Sequence, residues 1–160
     1  MEKQRNPRIG VMGPGSCSPA LYALAREVGY RIAQKNAVLI CGGYGGVMEA
    51  SARGAKEGGG VTVGILSGNN AIEANPYIDI PIVTALGNAR NAINVLSSQS
   101  IIAIGGSYGT LSEIALALKC GTPVVGLGTW GAVSGDGETL PIKLARNAED
   151  AVNAALEAIS

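Results

Sequence analysis

The sequence predicts an α/β domain built on a single doubly wound, mainly parallel sheet of about six or seven strands with helices on both sides. Short apolar runs alternate with helical patterns along the chain. Most of these runs are apolar at every position, which is typical of parallel strands buried on both faces. A chain of 160 residues with 47% hydrophobic side chains can bury one core, so we expect residues 1–160 to form one domain with a flexible tail at residues 1–7.

The apolar runs predict the strands in chain order. They cover residues 8–12, 37–41, 61–66, 80–85, 101–104, 123–127 and 141–144. Two stretches between them, residues 67–79 and 128–140, are too long for simple turns. We expect these two loops to cover a ligand.

The first two helices follow the first two strands. Ser18 before Pro19 predicts the start of the first helix. A serine side chain caps the unpaired amides of a helix start, and a proline at the first helical position lacks only an N–H group that would have no partner within the helix. The second helix is predicted over residues 47–57, ended by the glycine run at residues 58–60. The predicted buried stripe of the first helix is Leu21, Leu24, Val28 and Ile32.

Three further helices complete the prediction. The third covers residues 89–98 with Asn88 as its cap, and the fourth covers residues 111–120 and stops at Gly121. The fifth covers residues 148–159 and opens with acidic side chains, which suit the positive end of the helix dipole. The third helix is predicted to bury Ala89, Ala92, Ile93 and Leu96.

The composition excludes several classes of function. Twelve basic residues balance twelve acidic ones and crowd only near the N-terminus, so no nucleic-acid partner is expected. The chain has no histidine, which excludes histidine bases and histidine metal ligands, and we expect no metal site. Its three cysteines are isolated and no apolar run is long enough to cross a membrane. We therefore expect a cytoplasmic protein without a membrane partner.

Glycine is the outlier of the composition, with 24 residues, about twice its usual share of about 7%. The glycines cluster in three turns that follow predicted strands, at residues 10–16, 41–46 and 105–110. Ligands of open α/β sheets bind at this edge, where backbone amides and helix N-termini attract phosphate. The residues of these turns that are predicted to bind a phosphorylated ligand are Gly13, Gly15, Ser16, Gly42, Gly43, Gly45, Gly46, Gly106, Ser107, Tyr108, Gly109 and Thr110. The alternative is that the glycines only permit tight turns.

Two common phosphate-binding motifs are missing from these turns. No turn contains Gly-Lys-Ser/Thr, and the first turn has the spacing GxxGxG where dinucleotide-binding domains have GxGxxG. Nucleoside triphosphate hydrolysis and hydride transfer are therefore disfavoured.

Two charged residues near the turns are candidates for chemistry. Arg90 lies in the first turn of the third helix, where the helix dipole disfavours a cation unless it holds a phosphate or carboxylate; a solvated surface arginine is the alternative. Glu113 fits a capping box with Thr110, which explains both residues without a function. A carboxylate at this position also suits a ribose contact or a general acid or base.

Aromatic residues occur in two of the turns and in the second long loop. Tyr44 and Tyr108 occupy matching places, where their rings would flank a planar heterocycle or cover neighbouring elements. Trp130 in the loop at residues 128–140 is expected over the same pocket. Cys17 precedes the first helix, a position that favours a thiolate, whereas a buried, inert thiol is the commoner case.

Three segments, residues 41–48, 87–91 and 105–113, resemble the Rossmann-like superfamily of the Lonely Guy phosphoribohydrolases, often labelled lysine decarboxylases, and the molybdenum cofactor carrier proteins. The resemblance extends over about residues 8–125. An Arg and a Glu of the hydrolases serve cleavage of a nucleoside monophosphate, and Arg90 and Glu113 match their positions. Where the hydrolase motifs have Pro, Gly, His and Lys, this chain has Gly105, Ser107, Asn88 and Asn91. The chain therefore looks more like the carrier branch.

The resemblance implies a carrier for a phosphorylated planar heterocycle, with the molybdenum cofactor (molybdopterin) as the favoured ligand. The alternative is a nucleoside 5′-monophosphate phosphoribohydrolase with Arg90 and Glu113 as catalytic residues. Both an enzyme and a binding protein stay open, and the binding protein without turnover is favoured. The carrier branch forms homodimers or tetramers, and surplus apolar residues on the third and fourth helices also predict a homo-oligomer. A protein of cofactor synthesis or a molybdoenzyme is the implied macromolecular partner.

Overall fold

A parallel sheet with helices on both faces forms the centre of the molecule in the computed structural model, which describes residues 5–160. Its strands are β1 (Arg8–Met12), β2 (Val38–Cys41), β3 (Thr62–Leu66), β4 (Ile80–Val83), β5 (Ser100–Ile104), β6 (Val124–Leu127) and β7 (Lys143–Leu144). The helices are α1 (Pro19–Gln34), α2 (Val47–Glu57), α3 (Arg90–Ser97), α4 (Tyr108–Cys120) and α5 (Ala148–Glu157). Short 3-10 turns cover Ala71–Glu73 and Gly87–Ala89.

The seven strands lie in the order β4-β3-β2-β1-β5-β6-β7, and every neighbouring pair is parallel. The chain first moves outward from β1 to β4 and then returns to place β5 on the other side of β1. This reversal makes a topological switch point between β1 and β5, where open α/β sheets bind their ligands. The predicted doubly wound α/β fold is confirmed.

Helices cover the two faces of the sheet unequally. Ile102 and Ile104 of β5 belong to the core formed with α1, α2 and α5, whereas Ile101 and Ala103 belong to the core formed with α3 and α4. Both sets are fully buried. Alternate side chains of one strand therefore enter opposite cores, which is why the sequence of this strand is apolar at every position.

The edges of the sheet depart from the prediction of burial on both faces. All four residues of β4 and both residues of β7 are exposed, because each of these strands has a neighbour on only one side and incomplete helix cover. The apolar runs at residues 80–85 and 141–144 are therefore strands at the predicted places, but shorter and not buried.

Three helix boundaries were also predicted imperfectly. Helix α4 begins three residues earlier than predicted, and α5 ends at Glu157. The predicted Asn88 cap is wrong, since a 3-10 turn precedes α3 and the N-cap, Ala89, makes no side-chain capping bond. The predicted apolar stripe of α3 is wrong as well, because the helix buries Asn91, Asn94 and Val95 and leaves Leu96 69% exposed.

The predicted tail at residues 1–7 falls partly outside the described residues, which begin at residue 5. Pro7 is already attached to the sheet, since its carbonyl accepts a 2.7 Å hydrogen bond from the amide of Val38. Within residues 5–160, no helix combines the length and the apolar character needed to cross a bilayer.

Candidate functional site

A cleft of about 160 Å³ lies at the switch point, where the three glycine turns meet. The turns follow β1, β2 and β5, so the parallel strands bring them to one edge of the sheet. The cleft is lined by Val11, Met12, Gly13, Gly15, Gly42, Met48, Asn88, Arg90, Asn91, Asn94, Ser107, Gly109, Thr110 and Glu113.

The first glycine turn packs directly against the beginning of α2. A Cβ atom on Gly13 would lie 2.5 Å from Cγ1 of Val47 and 2.7 Å from the carbonyl oxygen of Ile104. Gly46 has a φ of +63°, and a Cβ there would overlap the carbonyl of Pro14. The Pro14 carbonyl accepts a 3.0 Å hydrogen bond from the Val47 amide. These glycines therefore let the turns approach each other closely, as their clustering in sequence indicates.

The third glycine turn leads into α4, and Ser107 caps the helix. Its Oγ accepts a 3.2 Å hydrogen bond from the Thr110 amide and lies 2.9 Å from Thr110 Oγ1. The amides of Tyr108 and Gly109, at the first two helical positions, have no acceptor within the helix. The Thr110–Glu113 capping box is thus wrong: Ser107 is the cap, Thr110 lies inside the helix, and Glu113 lines the cleft.

The guanidinium of Arg90 is held by the ends of two strands. Its Nη1 donates 2.8 Å hydrogen bonds to the carbonyls of Gly42, directly after β2, and of Ile65, the last residue but one of β3. Its Nε is buried without a partner, and its guanidinium carbon lies 5.5 Å from the centroid of the Tyr44 ring. Arg90 is therefore neither a solvated surface residue nor a cation wholly free for a ligand, but a structural link that also faces the cleft.

Glu113 lies in the same cleft and is only 7% exposed. The Asn94 side chain donates a 3.2 Å hydrogen bond from Nδ2 to its Oε2. Burial disfavours the charged form and raises the pKa of Glu113 to about 7, although the Asn94 hydrogen bond and the positive charge of Arg90 oppose the shift. Near neutral pH both the ionised and the protonated form of this carboxyl group are therefore populated.

The two tyrosines of the turns have different environments, and neither lines the cleft. The Tyr44 hydroxyl accepts a 2.9 Å hydrogen bond from the Gly68 amide and lies 3.2 Å from Ser67 Oγ. Tyr108 is 84% exposed and stacks on Trp130, with a centroid separation of 6.0 Å. The two rings therefore do not form the predicted pair around a heterocycle.

The two long loops are each attached to a glycine turn. Trp130 donates a 2.9 Å hydrogen bond from Nε1 to the carbonyl of Ser107, which fixes the loop at residues 128–140 beside the start of α4. In the loop at residues 67–79, Asn75 donates from its backbone amide and from Nδ2 to the carbonyl of Gly43. The loop at residues 128–140 adjoins the rim of the cleft, and the loop at residues 67–79 supports the back of the middle turn.

Neither Cys17 nor Cys41 contributes a reactive thiolate to the site. Burial raises the pKa of the Cys41 thiol to about 12 and also raises the pKa of Cys17, which favours the inert thiol, the commoner of the two alternatives for Cys17. Across the part of the chain that the structure describes, no group of three or more His, Cys, Asp or Glu side chains is arranged to hold a metal ion.

Of the residues predicted for the ligand site, the structure brings eight into the lining of the cleft. These are Gly13, Gly15, Gly42, Arg90, Ser107, Gly109, Thr110 and Glu113. The other six, Ser16, Gly43, Gly45, Gly46, Gly106 and Tyr108, do not line it. Among the lining residues that the prediction missed are Val11, Met12, Met48 and Asn94. The spacing of Asn94, four residues after Arg90, places both on one face of α3 and was the available signal.

Solved structures of similar chains cover almost the whole protein. The molybdenum cofactor binding protein of Rippkaea orientalis is 40% identical, has a TM-score of 0.88, and is matched over 99% of this chain and 100% of that one. The molybdenum cofactor carrier protein of Chlamydomonas reinhardtii is 38% identical, with a TM-score of 0.83 over 97% of this chain and 99% of that one.

Sequence comparison adds a relative and a family. An uncharacterised protein of Archaeoglobus fulgidus is 52% identical over 120 residues, which are 75% of this chain and 79% of that protein. The family model of the SLOG cluster4 family matches residues 6–155. The resemblance to the Rossmann-like superfamily and its carrier branch, drawn from the three motif segments, is thus confirmed, and the chain belongs to the SLOG cluster4 family.

Proposed function

We propose that this protein binds and carries the molybdenum cofactor, a phosphorylated pterin, as cargo. The observation that carries the proposal is the identity of 38–40% over 97–99% of the chain to a molybdenum cofactor binding protein and a molybdenum cofactor carrier. The cleft at the switch point supports it, since this is where the fold binds small ligands.

The groups around the cleft suit the anionic end of such a cargo. The unpaired amides of Tyr108 and Gly109 at the start of α4 and the hydroxyl groups of Ser107 and Thr110 are phosphate donors. Arg90, at the start of α3, adds positive charge to the cleft. The cofactor's own dithiolene sulfurs ligate the molybdenum, so the cargo needs no metal ligand from this chain.

The size of the cleft limits how much of the cargo enters it. About 160 Å³ is below the roughly 300–1,000 Å³ of ordinary small-molecule pockets. One end of the cofactor therefore enters the cleft, and the remainder lies along the rim beside the exposed Tyr108, which stacks on the half-buried Trp130. In this proposal the carrier works in the cytoplasm as a homodimer or tetramer and passes its cargo to a protein of cofactor synthesis or to a molybdoenzyme.

The test is direct loading under anaerobic conditions. The protein is incubated with molybdenum cofactor released from a molybdoenzyme, passed through a desalting column, and assayed for the fluorescent pterin produced by oxidation. We expect near-stoichiometric retention that inorganic pyrophosphate reduces. Retention no greater than that of an unrelated protein of the same size would refute the carrier function.

A second candidate is favoured by one observation: Glu113, with a pKa of about 7, shares the cleft with Arg90. A carboxyl group poised near neutral pH suits general acid or base catalysis, as in a nucleoside 5′-monophosphate phosphoribohydrolase. We expect little or no free base from AMP and related nucleotides, because Asn88 and Asn91 stand where the hydrolases have His and Lys. Multiple turnover that is abolished by Glu113→Gln would instead establish the hydrolase.

A further inference from the structure

The floor of the cleft contains polar atoms without a partner. Asn94 is 1% exposed and uses Nδ2 on Glu113, while its Oδ1 is buried and unpaired. Nε of Arg90 is likewise buried and unpaired. A buried group of this kind costs about 1–3 kcal/mol, and folded proteins keep few of them. Two such atoms on residues that line one cleft point to a ligand that supplies their missing partners.

The hydrogen-bonding character and charge of Asn94 Oδ1 and Glu113 show which end of a ligand suits them. The Asn94 Oδ1 atom and the Glu113 carboxylate are both hydrogen-bond acceptors, and the second is negatively charged when ionised. A phosphate placed beside them would meet repulsion and no donor from either group. The phosphate therefore belongs at the amides of Tyr108 and Gly109, and an N–H-bearing part of the ligand belongs at the floor.

Apolar side chains form part of the cleft wall. Val11, Met12 and Met48 line it; Val11 and Met12 are buried in the cores behind it, and Met48 is the half-buried side chain whose thioether packs on a flat ring. The cleft volume of about 160 Å³ is small and suits one six-membered ring with its substituents rather than a whole cofactor. A flat, single-ring edge of a larger heterocycle fits both the walls and the volume.

We propose that Glu113, Asn94 and Arg90 recognise the 2-amino-4-oxopyrimidine edge of the ligand, the edge that pterins and guanine share. This inference rests on the proposed function. The edge presents the 2-amino group and N3–H as donors and O4 as an acceptor. The Glu113 carboxylate and Asn94 Oδ1 accept from the two donors, and Arg90 Nε donates to O4. Because Asn94 Oδ1 and Arg90 Nε have no contact with solvent, both side chains shift slightly when the edge binds.

The experiment uses pairs of probes that differ only at position 2. 6-Hydroxymethylpterin and 6-hydroxymethyllumazine differ by an amino group in place of an oxo group, and GMP differs from IMP by the same amino group. Binding of the pteridines is followed by their fluorescence and that of the nucleotides by calorimetry. We expect a preference of about 10- to 100-fold for the amino member of a pair, and the pair that shows it identifies a pterin or a guanine ligand.

Variants locate the preference in the cleft. Glu113→Gln keeps the side-chain shape and the Asn94 contact but lets the amide donate to an oxo group, so the preference for the amino probe should disappear or reverse. Asn94→Ala should reduce it in part. Glu138→Gln, which removes an exposed carboxylate from the loop at residues 128–140, is the matched control and should leave it unchanged. Circular dichroism verifies that each variant is folded.

The outcomes separate this inference from the carrier function. Equal binding within both pairs, or a preference that survives Glu113→Gln, overturns the edge recognition even when the molybdenum cofactor is retained. Equal weakening of GMP and IMP by Glu113→Gln also overturns it, because the carboxyl group then faces the ribose. Failure of all four probes together with the cofactor overturns both proposals.

Discussion

Arg90, at the start of α3, lies over the ring of Tyr44 in the second glycine turn: its guanidinium carbon is 5.5 Å from the centroid of the tyrosine ring. The same guanidinium donates to the carbonyls of Gly42 and Ile65. Tyr44 in turn is held through its hydroxyl by the Gly68 amide. A residue that the sequence presents as a free ligand cation is thus part of the framework that shapes the cleft.

Arg90→Ala should therefore reduce both stability and binding. Removal of two charge-assisted hydrogen bonds leaves the Gly42 and Ile65 carbonyls without their donor, at a cost of about 2–4 kcal/mol in the free energy of unfolding measured with urea. The affinity for a phosphorylated ligand should fall by about 10- to 100-fold. Arg146→Ala, which breaks an exposed pair with Asp150, is the control and should cost less than about 1 kcal/mol. Unchanged stability of Arg90→Ala would contradict the structural role.

Glu113 should make the protein less stable as the pH rises. Its folded-state pKa of about 7 lies above the ordinary value of 4.5, so between these values the folded state holds more protons than the unfolded state. Stability then decreases with rising pH, by about 3 kcal/mol between roughly pH 4 and pH 8. The charged group that acts on Glu113 is Arg90, and Glu113 in turn helps to raise the pKa of Cys41.

The measurement is urea unfolding of the parent and of Glu113→Gln at several pH values. The free energy of unfolding of the parent should fall relative to that of Glu113→Gln as the pH rises, because Gln does not ionise. A difference that is constant with pH, or one that shifts in favour of the parent, would show that burial does not raise the pKa of this carboxyl group.

Ser107→Ala should destabilise α4 more than Thr110→Val does. Ser107 supplies the cap to the Thr110 amide, and loss of such a cap costs about 0.5–2 kcal/mol. Thr110→Val keeps the shape of a buried side chain inside the helix and removes one hydroxyl contact. Thermal unfolding of the two variants distinguishes them. A larger loss for Thr110→Val would support the capping box predicted from sequence.

The protein should be a homo-oligomer through α3 and α4. These helices bury Val95 and Ile114 but leave Leu96 largely exposed and Leu116 only half-buried. Light scattering should give a mass above 16 kDa at micromolar concentration, and Leu96→Glu should lower it. Ile72→Glu, at a side chain of the same size that is even more exposed, on the 3-10 turn Ala71–Glu73, is the control. A mass of 16 kDa for the parent protein, that of a monomer, would contradict this prediction.

The local signals of the sequence predicted the fold well where burial and backbone chemistry act over a few residues. Ser18 caps α1 and Pro19 begins it, and α2 covers Val47–Glu57 as predicted. The predictions failed where the neighbours decide. The apolar sequence of β4 indicates burial, yet this strand is exposed because it lies at the sheet edge. Similarly, the spacing of the apolar residues in the third helix did not reveal that α3 buries Asn91 and Asn94.

The sequence by itself determined the parallel α/β domain, the three glycine turns and the two charged residues beside them. Continuous apolar strands, glycine spacing and the absence of histidine are local or compositional facts that restrict the fold and the chemistry. Only the tertiary structure decided the state of those charged residues. Arg90 meets carbonyls from β2 and β3, and Glu113 meets Asn94 from another helix. These partners are 19 to 48 residues away along the chain, so their effects on charge and hydrogen bonding arise only after the sheet has brought the elements together.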